Sequence, residues 1–300
     1  MSGPAARIQA QAKLNLYLRI LTREESGYHS IETIFHRIEL ADEIALRVEE
    51  DEVRTIDVRG ADVGPAESNL AWRAAVAYQH EAGWPRGFTI ELDKRIPVGG
   101  GLGGGSADGA AVLRMLDSLA RNPLGERKLL EIAASLGADV PFLVSCAAMA
   151  LAWGRGERLM GLNPLPQRDV LLVTPDFQVA TTDAYAWIDA DRAAGSDRSL
   201  ENALEPLVIT GEMLAGWPSV AILNRNDFID SVTERHPQLR TLLDSVREAG
   251  SFLSSMSGAG STVFGVYDTL PDATALRAFR DTTTNLTRTA DKVVQPIRTG

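Results

Sequence analysis

Six glycines occupy the seven positions from Gly99 to Gly105, inside the stretch IPVGGGLGGGSADGA at residues 96–110. Each loses more backbone entropy on folding than any other residue would. A run of six therefore implies that something approaches this backbone too closely for side chains. A glycine loop with free N–H groups that feeds a helix makes an anion site, because no Cβ blocks the approach and the helix dipole favours negative charge. Phosphate is the guest that suits this chemistry. The following segment, SADGAAVLRMLDSLARN, puts Val112, Met115, Leu116 and Leu119 at i, i+3, i+4 and i+7, one face of a helix. A flexible linker would not run into such a helix, with Ser106 and Asp108 in its first turn.

The familiar phosphate loops fit poorly. Gly99, Gly101 and Gly104 match G-x-G-x-x-G, but a lone match is weak. A dinucleotide loop follows its strand directly and sits early in a βαβ unit, whereas here DKRIP intervenes after an antiparallel-looking region. A P-loop ends in Gly-Lys-Ser/Thr, and this one ends in Gly-Ser-Ala. A protein-kinase loop leads into a strand rather than a helix.

Other chemistry is sparse. His29, His36, His80 and His236 form no metal-ligand spacing with one another or with Cys146. Cys146 is the single cysteine, so no intrachain disulfide forms, and a reducing cytoplasm is the expected location. It lies in an apolar run of about 14 residues interrupted by Pro141 and Ser145, too short for a membrane span. The N-terminus shows no apolar core of a signal peptide. The net charge of −10 argues against nucleic acid and anionic membranes as partners. Asp139, just before Pro141, reads on its own as a helix N-cap.

The elements that must carry these residues are legible in part. AKLNLYLRIL alternates, with Ala12, Leu14, Leu16, Leu18 and Ile20 on one face of a strand and Lys13, Asn15, Tyr17 and Arg19 on the other. Strands are also expected at DEIALRVEE and FTIEL, with a helix between them capped by Ser68 and closed at Gly83. ERKLLEIAASLG reads as another helix. VLLVTP, at 170–175, opens what looks like a second half, after the proline-bearing LMGLNPLPQRD. The far end reads as helix (236–250), strand, tight turn SGAGS, strand TVFGVYD, and helix DATALRAFRD. This order suggests an α+β sandwich with helices on one side of antiparallel sheet. The expected division is residues 1–162 and 163–300.

PVGGGLGGGSA resembles the nucleotide loop of the superfamily of galactokinase, homoserine kinase, mevalonate kinase and phosphomevalonate kinase (GHMP). AKLNLYL near the N-terminus and MSGAGSTVFG at 256–265 resemble the superfamily's other two motifs, in the right order. GYHSIETIF and GADVPF look like one branch of it, the 4-diphosphocytidyl-2-C-methyl-D-erythritol kinases of non-mevalonate isoprenoid synthesis. The resemblance runs from about Ala12 to Asp268. It implies a two-domain α+β fold, with an N-terminal mixed α/β nucleotide-binding domain and a C-terminal ferredoxin-like domain. It also implies transfer of phosphate from ATP to the 2-hydroxyl of a cytidine-diphosphate-linked substrate, by a monomer or homodimer. Ala107, Gly109 and Ala259 depart from the commoner spelling; Ala107 removes one hydroxyl from the loop but leaves its backbone donors.

Residue by residue, the resemblance makes Asp139 the base beside the acceptor hydroxyl and Lys13 its cationic partner, with Asn15 toward substrate. Pro97, Val98, Gly99, Gly100, Gly101, Leu102, Gly103, Gly104, Gly105, Ser106 and Ala107 would wrap the ATP phosphates. Asn69, Leu70 and Lys94 match positions on the adenine side. Tyr28 and His29 would hold the cytosine, with Tyr185 stacked on its other face. No carboxylate cage for metal is evident, so Mg2+ would be held mainly by phosphates and water. A homoserine or mevalonate kinase would keep the loops without needing GYH. A catalytically dead nucleotide-binding regulator would not need both Lys13 and Asp139, and a Rossmann dehydrogenase is the remote alternative.

Overall fold

The computed structural model describes residues 3–195, 209–272 and 274–299. The alternation seen around Leu14 belongs to a far longer strand, β1 (Ala5–Arg23), which pairs antiparallel with β2 (His29–Glu49) in one long hairpin. The strand expected at 42–50 is the distal half of β2. Then follow β3 (Arg54–Arg59), α1 (Leu70–Ala82), β4 (Gly87–Asp93), α2 (Gly104–Leu119), α3 (Glu126–Leu136), α4 (Val140–Val144), β5 (Met149–Gly154) and β6 (Arg158–Leu162). The second part holds β7 (Asp169–Thr174), α5 (Thr181–Ala193), α6 (Trp217–Leu223), α7 (Phe228–Arg235), α8 (Pro237–Glu248), β8 (Leu253–Met256), β9 (Val263–Tyr267), β10 (Thr283–Arg288) and β11 (Ile297–Thr299).

The first sheet runs β11-β1-β2-β4-β3. Its middle strand β2 forks: residues 43–49 pair with β4 and residues 31–36 with β5, which carries β6 on its other side. Only β3 and β4 are parallel among these pairs. The second sheet, β10-β7-β9-β8, is antiparallel throughout and has the expected ferredoxin-like layout. The chain is thus a two-domain α+β fold in which β11 returns to the first sheet.

Two apolar cores match the two sheets. Ala74, Tyr78, Leu113 and Leu116 of α1 and α2 pack on Leu14, Leu46 and Ile90 of the first. Val173, Leu239, Leu243 and Val263 form the second, and Leu18, Ile20 and Ile31 of the hairpin belong to it as well. The hairpin is pinned there: Leu18 N donates to Arg225 O (2.7 Å), Asp227 N to Leu18 O (3.1 Å) and Ile20 N to an Asp227 carboxylate oxygen (2.9 Å). One strand pair therefore spans both halves and forms the floor between them.

Four local expectations change. Ser68 does not cap α1; Asn69 does, its Oδ1 accepting from Ala71 N at 2.8 Å. Helix α2 starts at Gly104, so the glycine run itself enters the helix. The helix expected at 272–281 is a short 3-10 turn, Ala275–Phe279, with residue 273 outside the described residues. Lys13, Asn15, Tyr17 and Arg19, placed on a polar face, are all no more than 5% exposed. Gly101, Leu102 and Asp139 close over Lys13, and Lys13 and Asn15 form part of the wall of a cleft.

Candidate active site

Lys13 and Asn15 lie between two register shifts of the β1–β2 hairpin, after Gln11 and after Asn15. Such irregularities re-aim side chains beside functional sites. Lys13 N donates to Leu102 O at 3.0 Å, which ties the strand to the glycine loop. Its Nζ donates to Asn15 Oδ1 (2.7 Å) and to Gly101 O (2.9 Å), and lies 3.3 Å from Asp139 Oδ2. Asn15 Nδ2 donates to Thr33 Oγ1 (2.8 Å), which donates in turn to Tyr17 O (2.7 Å). The Lys13 side chain is buried and that of Asp139 is 29% exposed. A buried ammonium needs such partners, and three oxygens supply them.

Asp139 stands at the N-cap position of α4, but its side chain makes no capping bond. The carboxylate faces Lys13 instead. The other end of α4 is clamped by buried Arg37, which donates to Phe142 O, Leu143 O, Ser145 O and Ala147 O at 2.9–3.0 Å. Burial pulls the Arg37 guanidinium down to about 9. That rigid anchor fixes the short helix that carries Asp139.

The protein's own groups crowd the glycine run. Gly101 has φ +78, and a Cβ there would lie 1.9 Å from Ser257 O; Ser257 Oγ also donates to Gly101 O at 2.9 Å. Gly103 has φ +72, and its Cβ would meet Cγ and Cε of Lys13, both at 3.1 Å. The second glycine turn thus seats directly on the first. Gly105, at the start of α2, meets only Leu70 Cδ1 at 3.7 Å and stays open.

Lys13, Asn15, Gly101, Ser106 and Asp139 line a cleft of about 1320 Å³, and Tyr28, His29, Tyr185 and Asp189 line it as well. The rings of His29 and Tyr185 stack with centroids 4.6 Å apart and planes 13° apart. Burial, reinforced by the charge of Asp139, pushes the Tyr185 hydroxyl up to about 12. Tyr28 is 61% exposed. The Arg155 guanidinium lies 4.2 Å from the Tyr28 ring centroid and also bonds Glu24.

Asn69, Leu70 and Lys94 do not line this cleft. The Asn69 side chain is engaged as the cap of α1. The Lys94 ammonium is buried between Asp42 and Asp108, with Asp108 Oδ2 at 2.7 Å. Burial opposes its charge, but the two carboxylates hold it above its usual range. Asp42 also accepts from the Arg95 and Ile96 backbone N–H groups, so this cluster joins the strand before the glycine loop to the helix after it. Leu70 packs beside Gly105 and Gly109.

Thr33, Arg155, Asp189 and Phe228 were not singled out from sequence. Asp189 alone had a signal: it lies four residues after Tyr185 on α5, hence on the same helical face. Among the described residues no three His, Cys, Asp or Glu side chains gather as a metal site, and no helix is long and apolar enough to cross a membrane.

Known proteins share this fold. Residues 69–150 match the N-terminal domain of the GHMP kinases, and residues 217–282 match their C-terminal domain. The 4-diphosphocytidyl-2-C-methyl-D-erythritol kinase of Chlorobium phaeobacteroides is 36% identical over 268 residues, covering 89% of this chain and 88% of that one. The chain belongs to the 4-diphosphocytidyl-2-C-methyl-D-erythritol kinase family of GHMP kinases. The enzyme of that name from Chlorobaculum tepidum is also 36% identical, with 89% and 90% coverage. A crystal structure of 4-(cytidine 5'-diphospho)-2C-methyl-D-erythritol kinase superposes with TM-score 0.75 at 31% identity, covering 95% of this chain and 99% of the other. The chain is therefore a small-molecule kinase.

Proposed function

We propose that this chain transfers the γ-phosphoryl group of ATP to the 2-hydroxyl of 4-diphosphocytidyl-2-C-methyl-D-erythritol. The observation that carries the reading is the Lys13–Asp139 pair at 3.3 Å, opening on a cleft beside the glycine loop. Phosphoryl transfer asks the protein mainly for positioning and charge stabilisation. Asp139 takes the hydroxyl proton as the oxygen attacks phosphorus. Lys13 keeps the carboxylate ionised and oriented, and its positive charge helps polarise the attacking hydroxyl. Asn15, fixed by Lys13 and Thr33, faces the same acceptor.

The ATP phosphates lie along Pro97–Ala107, with the backbone N–H groups of the open start of α2 and the Ser106 hydroxyl toward them. Lys94 and Asn69 act through the backbone they hold: Lys94 fixes the flanks of the loop, and Asn69 the start of α1. A backbone cradle with one serine hydroxyl suits Mg2+ that arrives coordinated by phosphates and water. When bound, that ion would supply charge neutralisation of the phosphates, beside the backbone N–H groups of the loop and the Ser106 hydroxyl. In the same cleft Tyr28, His29 and Tyr185 receive the cytosine. The chain divides functionally near residue 162, the loop lying before it and the α5 side of the base pocket after it.

Asp139→Asn tests the reading. It keeps size and removes basicity, so kcat should fall by on the order of 10²–10⁴ with both substrates still bound. Lys13→Met should also lower kcat, and the double variant should be little worse than the poorer single one. Near-normal kcat in Asp139→Asn would remove the proposed base.

A further inference from the structure

Helix α5 brings two groups to the cleft. Tyr185 and Asp189 are one turn apart, so they share a face. Arg192, further along, donates to Ile20 O (2.7 Å) and Leu21 O (3.0 Å) and docks the helix on β1. Tyr185 stacks on His29 and meets Phe228 edge-on at 5.0 Å. Asp189 Oδ1 lies 2.8 Å from His29 Nε2, and Asp189 Oδ2 lies 3.3 Å from Arg23. The imidazole is therefore held by a stacked ring on its face and a carboxylate at one nitrogen. The side chain is 4% exposed, so water does not compete freely for that bond.

A carboxylate only accepts hydrogen bonds. The bond to Asp189 therefore places the proton on Nε2, as a partner at one ring nitrogen decides the state of the other. In the neutral ring Nδ1 then carries the lone pair, and it has no partner among the described residues. Arg23 keeps the carboxylate turned by holding its second oxygen.

We propose that Asp189 is a positioning residue that locks His29 in the Nε2–H tautomer, so that Nδ1 meets the cleft as an acceptor selective for an amine-bearing pyrimidine. Cytosine offers its exocyclic amine as a donor. Uracil has a carbonyl there, and acceptor would face acceptor. The proposal rests on the reading of His29 as a base contact. It adds the group that sets what His29 can read.

The experiment combines kinetics with nitrogen NMR on full-length protein. In 15N-histidine-labelled enzyme at pH 8, the signals missing from His29→Ala identify the His29 ring. Wild type should show Nε2 protonated. Asp189→Asn can offer its amide N–H to Nε2, and should shift the ring toward the Nδ1–H form. Its KM for the cytidine substrate should rise about tenfold, the worth of one hydrogen bond. Its KM for ATP should stay within about twofold, and its preference over the uridine-diphosphate counterpart should shrink. Asp189→Glu, which keeps the acceptor, should recover most of the preference; a merely structural role would move both KM values together. An unchanged tautomer in Asp189→Asn overturns the proposal. So does an unchanged base preference in that variant when His29→Ala does raise the cytidine-substrate KM. If His29→Ala leaves that KM unchanged as well, the base-contact reading falls, and the specificity role falls with it.

Discussion

Gly103→Ala separates backbone strain from damage to the Lys13–Asp139 pair. Gly103 has φ 72 and ψ 22. Gly83, at the end of α1, has φ 64 and ψ 15, yet a Cβ there meets nothing within 4 Å. Alanine at either site adopts the left-handed region at a cost of about 1–2 kcal/mol. Each variant should therefore melt roughly 2–8 °C lower. Only Gly103→Ala adds a carbon 3.1 Å from Cγ and Cε of Lys13 and 3.5 Å from Asp139 Oδ2. Lys13 is tethered to Gly101 O and Asn15, so it yields a few tenths of an ångström only by disturbing its 3.3 Å approach to Asp139. A misplacement of about 1 Å at such a site costs about 100-fold. A few tenths should then cost roughly 3- to 10-fold in kcat, with Gly103→Val far worse. Coupled ADP release at saturating substrates gives kcat, and thermal melting gives stability. Equal kcat in Gly103→Ala and Gly83→Ala, at equal melting loss, would refute the reasoning.

Lys94→Met would leave Asp42 and Asp108 buried together without their cation, and should destabilise the fold by about 3–5 kcal/mol. Normal denaturant unfolding with a raised KM for ATP would instead make Lys94 a direct nucleotide contact. His36 is fully buried and burial pushes it down to about 4. Between about pH 6.5 and 4 the unfolded chain binds a proton that the folded one refuses. Stability is therefore present above 6.5 and lost as pH falls, at up to about 1.4 kcal/mol per pH unit. His36→Gln should flatten that slope in urea unfolding at pH 7, 6 and 5; an unchanged slope would locate the acid sensitivity elsewhere.

What the sequence revealed followed from pattern, and what it hid followed from burial. The glycine loop and the helix after it were legible because glycine and a 3.6-residue apolar repeat carry their own physics. The near half of β2, HSIETIFHRIEL, shows no clean alternation because Ile34, Phe35, His36, Arg37 and Ile38 are all buried, on both faces. The burial of Lys13 and Asn15 is not legible because a lone strand cannot show that the glycine loop and Asp139 close over it. The ion pairs of Lys94 are not legible because its partners, Asp42 and Asp108, meet it only in the fold. Asp139 was placed correctly before a helix, but only the missing cap bond and the facing ammonium distinguish it from an ordinary N-cap. The Asp189–His29 bond joins residues 160 apart, and no local pattern encodes it.

Product analysis tests most directly whether ATP phosphorylates the 2-hydroxyl of the cytidine-diphosphate-linked methylerythritol. Coupled ADP release should be measured with that substrate, mevalonate and homoserine in parallel, and the product's phosphate located by phosphorus–proton correlation. Rapid turnover of the cytidine substrate alone, with phosphate on the 2-oxygen, is the expected result. Turnover of mevalonate or homoserine in its place, or ATP binding with no turnover of any of the three, would contradict it.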